Sequence, residues 1–133
     1  MTASLLAPDT AAAVPPREVS ALRDALDGLR GVGGRTSPDA YDALLVELDR
    51  GVRRLEAIKL EVVAAAEAAR IADRTGLADT SSWLARRTRA AGARAAADVA
   101  LATALAPVPD QPARPCADAL AAGDLSPDHA RVV

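Results

Sequence analysis

The side chains able to do chemistry are few in this sequence, and they are scattered. His129 is the single histidine and Cys116 the single cysteine. Together they fall short of a recognisable zinc set, which needs four His or Cys ligands at short paired spacings. With no histidine near it in sequence to activate its thiol, Cys116 reads as a small apolar filler rather than a nucleophile. His129 reads as an exposed residue in the first turn of a helix. Glu47, Asp49, Glu56, Glu61 and Glu67 lie along one helical segment among arginines. Solvated pairs three and four residues apart account for them better than a general acid–base site. The run "GVGGR" follows a helix rather than a strand, so it reads as a flexible connection and not as a phosphate-binding loop. These residues predict no catalytic group, no metal, no cofactor and no small-molecule substrate, hence a chain that is not an enzyme by itself.

One cluster has a sharper reading. Arg86, Arg87, Arg89 and Arg94 against Asp98 give residues 80–106 a charge of +3, within a chain whose net charge is −2. Any attraction to a polyanion is therefore local. Two short helices joined by a turn around Gly92 have the proportions of a helix-turn-helix. In that arrangement Arg94 stands at the start of the second helix, and the other three arginines flank it as phosphate contacts on double-stranded DNA. Three or four such contacts predict a salt slope of about −3, the signature of weak, non-specific binding. An ordinary pair of bundle helices with arginines in water explains the same residues equally well. Tyr41 and Trp83 are the only aromatics, too few for a base-stacking platform.

The elements around this cluster are helical throughout. Roughly a quarter of the chain is alanine and phenylalanine is absent, which predicts an all-α domain with a thin core of Leu, Val and Ile. Residues 1–15 read as a disordered lead, and 16–133 as a single helical domain. A short amphipathic helix is expected from about Pro16 to Leu29, with Val19, Leu22, Leu26 and Leu29 on one stripe. Ser37-Pro38-Asp39 then opens a long helix to about Arg74, closed by Gly76. Along it Tyr41, Leu45, Leu48, Val52, Leu55, Val62, Ala66 and Ala69 follow an alternating three/four spacing, with Lys59 in the remaining slot. That spacing suits packing along a bundle or pairing with a partner helix, so Leu45, Leu48, Val52, Leu55 and Val62 form a candidate partner-helix interface, including that of a homodimer.

Short helices follow: one capped by Asp79 or Thr80 with Trp83 and Leu84 inward, one from about Ala93 to Ala106, and one ending at Ala122. The Pro-rich stretch 106–115 reads as an extended linker. Ser126-Pro127-Asp128 repeats the helix-start chemistry, yet seven residues follow Ser126. The expectation is a truncated helix, frayed or held by Leu125, Val132 and Val133, in a chain that stops inside a larger architecture. A lone cysteine, the lack of a basic leader and the lack of a long apolar run predict a cytoplasmic chain with no membrane partner.

Two stretches carry a resemblance to a known family: R-T-G-x-A-D-T-x-x-W-L-A at Arg74–Ala85 and A-A-G-x-L-S-P-x-H-A-R-V at Ala121–Val132. From about Asp39 to Val133 the chain resembles domain of unknown function 222, an actinobacterial family usually found as the N-terminal part of proteins with a C-terminal HNH endonuclease domain. The resemblance implies a mostly helical domain of undefined biochemical role, expected to help a nuclease engage DNA, with no catalytic positions to carry over. The histidines, asparagine and zinc-flanking cysteines of an HNH centre have no counterpart in these residues. A Ser or Thr helix cap is also missing at Gly92–Ala93, which predicts a frayed start for the second short helix. The run "GDLSPDHARVV" alone is similar to a helix start in centromere-binding, chromosome-partitioning proteins.

Overall fold

The computed structural model describes residues 16–106 and 115–132. The expected disordered lead at 1–15 and most of the Pro-rich linker lie outside the described residues, as do the side chains of Val132 and Val133. The described residues are all-α, with no strand among them. The chain divides into two compact units, residues 1–42 and 43–133.

In the first unit, helix α1 (Arg17–Leu29) is amphipathic but buries no residue. Gly31 takes a left-handed conformation at φ 77°, and two 3₁₀ turns follow, Val32–Arg35 and Pro38–Ala40. The loop is held by backbone turns and by side chains bonding to backbone. Arg35 donates to the carbonyls of Arg30 and Gly28, each at 2.9 Å, and Thr36 donates to that of Val32 at 2.6 Å.

The long helix, α2 (Tyr41–Ala68), supplies the first wall of the second unit. Its buried residues are Ala57, Leu60 and Val63, and none of Leu45, Leu48, Val52, Leu55 and Val62 is buried. The helix ends earlier than the periodicity predicts. Arg70 adopts a left-handed conformation at φ 55°, and a separate short helix, α3 (Ile71–Thr75), follows. No glycine or proline marks this break. Arg70 is held by an ion pair to Asp73 at 2.8 Å, and α3 packs against the next helix. Tertiary contact here outweighs the helix propensity of "AEAARIAD".

Helices α4 (Thr80–Thr88) and α5 (Gly92–Leu105) form the most closely packed pair. Helices α6 (Pro115–Ala122) and α7 (Pro127–Val132) complete the unit, α7 touching both α5 and α6. The core is one cluster: Ala57, Leu60 and Val63 of α2, Leu84 of α4, Ala95, Leu101 and Ala102 of α5, Leu120 of α6 and Ala130 of α7. Trp83, Val99, Leu105, Cys116 and Leu125 are partly buried against it. Cys116 thus sits where an apolar filler belongs.

The turn between α6 and α7 is a Schellman motif. Gly123 at φ 81° donates to Leu120, and Asp124 donates to Ala119 at 2.9 Å. A side chain has no room there: a Cβ on Gly123 would lie 2.7 Å from the Arg50 carbonyl oxygen and 2.8 Å from Cγ of Arg50 and Arg54. Gly76 is also left-handed, at φ 71°, but faces open space. Gly123→Ala is therefore expected to cost about 3 kcal/mol in denaturant unfolding and Gly76→Ala about 1 kcal/mol, since only the first adds a backbone clash to the left-handed penalty.

Candidate functional site

The α4–α5 junction is built from its caps outward. Asp79 caps α4, its Oδ1 accepting the Ser82 backbone N–H at 2.7 Å. Thr88 donates its hydroxyl to the Leu84 carbonyl at 2.7 Å, and Arg89 closes the helix in a left-handed conformation at φ 57°. After Arg89 the chain extends through Ala91, and α5 starts at Gly92 with no side-chain cap. The missing cap leaves the helix intact: the Ala95 N–H bonds the Ala91 carbonyl at 3.0 Å, and Ala95 is fully buried.

Of the four arginines singled out by sequence, three share an environment and one does not. Arg86, Arg87 and Arg89 are exposed at the C-terminal end of α4, and no ion pair links any of them to another described residue. Cations at this end of a helix sit favourably against its dipole. Arg94 is pulled the other way. Its guanidinium lies 3.4 Å from Asp98 on its own helix and 3.9 Å from Asp128 on α7. The Asp98 pairing is readable as an i,i+4 pair, whereas the Asp128 contact depends on a fold that brings α7 back onto α5.

The outward face of α5 is poor in hydrogen-bonding groups. Ala93, Ala96, Ala100 and Ala104 are exposed, and the hydroxyl of exposed Thr103 is bonded to the Val99 carbonyl at 2.9 Å. Reading base edges in a major groove requires side-chain donors and acceptors, which this face supplies only through the already paired Arg94. A helix-turn-helix-like pair is present in outline, but it lacks the side chains of a sequence reader.

Two hollows in the second unit escape a reading by sequence spacing. One, of about 220 Å³, brings Glu56 and Lys59 of α2 together with Arg94 and Asp98 of α5. The other, of about 550 Å³, is an alanine-rich groove between α2, α5 and α6 with Glu61 and Asp118 among its lining. Each is lined by α2 together with helices more than twenty positions further along the chain, so no local motif announces them. His129 is exposed at the start of α7, with Nδ1 2.8 Å from Ser126 Oγ. No group of three His, Cys, Asp or Glu among the described residues could hold a metal ion, and no described helix is long and apolar enough to cross a membrane.

The candidate partner-helix positions do not share one environment. Leu45, Val52 and Val62 are exposed, whereas Leu48 and Leu55 are half-buried. Comparisons with family models, curated proteins and solved structures give no match for this chain.

The backbone and side chain of Ser82 together hold the Asp79 carboxyl below its usual range. A carboxyl with a lowered folded-state pKa adds stability above its unfolded pKa, and that contribution disappears as pH falls through the folded value. Asp79→Ala is expected to lower Tm at pH 7. The gap to the unsubstituted chain should narrow as pH falls below the ordinary carboxylate range, as followed by helical circular dichroism during heating.

Proposed function

We propose that this chain is a non-catalytic, DNA-associated helical module that grips phosphates weakly and without sequence preference. The observation behind the reading is the group of three exposed arginines, Arg86, Arg87 and Arg89, at one helix end with no carboxylate partner among the described residues. Phosphate contacts position a protein on DNA, while base contacts specify sequence. This surface offers the first kind and, on the alanine face of α5, almost none of the second. Arg94 belongs in a different role: bound to Asp98 and Asp128, it ties α5 to α7 and leaves phosphate contact to its neighbours. The resemblance to the front part of HNH endonuclease-type proteins supports the same reading, with cleavage left to a domain of another kind.

Titration of fluorescent duplex DNA at 20 mM to 200 mM salt tests this. Three contacts predict a log–log salt slope of about −3 and binding in the weak, non-specific range. Arg86→Ala, Arg87→Ala and Arg89→Ala combined should abolish binding while lowering Tm only slightly, by the lost dipole interaction. Arg94→Ala should leave the salt slope unchanged and lower Tm slightly instead. Absence of binding at 20 mM salt, or a triple variant that binds like the parent, overturns the reading.

A further inference from the structure

A single charge interrupts the apolar spacing of α2. Leu45, Leu48, Val52, Leu55 and Val62 repeat at three and four residues, and the slot between Leu55 and Val62 is filled by Lys59, the only lysine in the chain. Its neighbours Leu60 and Val63 are buried in one cluster with Leu84 of α4, which brings this stretch of α2 to the α4–α5 junction. Lys59 itself is exposed, and no ion pair links it to another described residue. It lines the smaller hollow together with Thr88, Ala90 and Arg94. Thr88 and Ala90 are the two chain neighbours of Arg89, and Thr88 also follows Arg87. A hollow of about 220 Å³ holds roughly seven waters. Little more than a layer of solvent therefore separates Lys59 from the turn that carries the arginines. The space is smaller than an ordinary ligand pocket, so its rim, not its interior, is what a partner can meet.

We infer that Lys59 is a fourth phosphate contact, which carries the DNA-facing surface from the α4–α5 junction onto α2; the inference rests on the phosphate-binding reading above. A lysine lays its methylene stem along apolar surface and keeps its ammonium in water, which suits a slot in an otherwise apolar stripe. The ammonium is a compact point charge, able to meet a phosphate without the fixed geometry of an arginine fork. The two carboxylates on the same rim differ in what they can do. Asp98 lies 3.4 Å from Arg94, so its charge is already balanced. Glu56, one turn before Lys59, is half-buried and in no ion pair with a described residue. Its charge opposes an approaching phosphate, so Glu56 restrains the surface that Lys59 extends.

Titration of the full chain with fluorescent duplex DNA between 20 and 200 mM salt tests the assignment. A fourth contact moves the salt slope of the parent from about −3 to about −4. Lys59→Gln should return the slope to about −3 and weaken binding about fivefold at 20 mM salt, with Tm unchanged. Lys59→Arg, which keeps the charge, should bind like the parent, and Glu56→Gln should bind about twofold more tightly. Because Lys59 is the only lysine, acetylation of its ε-amine, read by peptide mass spectrometry, reports on this contact alone. Duplex DNA should slow that acetylation severalfold at 20 mM salt, and 200 mM salt should restore the free rate. Suppose the parent binds and the triple arginine variant does not. A parent-like slope for Lys59→Gln, or acetylation that DNA leaves unchanged, then overturns the inference while the arginine reading stands. A parent that does not bind at 20 mM salt, or a triple variant that binds like it, overturns both.

Discussion

Close packing over alanine is the constraint on which the second unit depends. Ala57, Ala95, Ala102 and Ala130 are buried with Leu60, Val63, Leu84, Leu101 and Leu120, and no phenylalanine is available to fill space. A buried alanine removes little apolar area, at about 0.8 kcal/mol per methylene-sized group. Its value lies in letting helix backbones approach each other. The same closeness appears at Gly123, where the α6–α7 turn lies against the backbone of α2 with no room for a side chain. A core of this kind tolerates little added volume, because interiors are already near crystal density.

That economy shapes the surface. A thin core needs only one stripe of α2, so the remaining apolar residues of the helix stay outside it. The arginines divide by the same logic. Arg94 stands where α5 meets α7 and is drawn to the carboxylates of both, while Arg86, Arg87 and Arg89 are exposed in the last turn and C-cap of α4. The second unit thus presents two outward surfaces of different chemistry, one cationic and one apolar.

Helix identities were legible wherever a backbone requirement is written locally. Ser37-Pro38-Asp39, Asp79, Gly76, Gly123 and Ser126 all fall within a residue or two of observed helix ends. The start of α5 at Gly92 was legible as uncapped, but its intact first turn was not, because burial of Ala95 compensates. The break at Arg70 left no trace, since an arginine in a left-handed conformation follows from packing and not from its own preference. The inward face of α2 was obscured for a related reason. Its three residues, Ala57, Leu60 and Val63, make a shorter stripe than the Leu and Val positions spaced three and four apart, although none of those positions is buried. For the candidate site, the arginine cluster was plain in the sequence, but its division into three outward residues and one paired residue required α7 to be seen folded back.

The division of α2 into a core face and an outward face is the centre of this account, and two adjacent valines test it. Val63 is 4 % exposed and Val62 56 %. Chemical denaturation of Val63→Ala and Val62→Ala at 1 µM protein compares the two faces one residue apart. The account predicts a loss of about 2 kcal/mol for Val63→Ala and less than about 0.5 kcal/mol for Val62→Ala. Equal losses, or a larger loss at Val62, would contradict it.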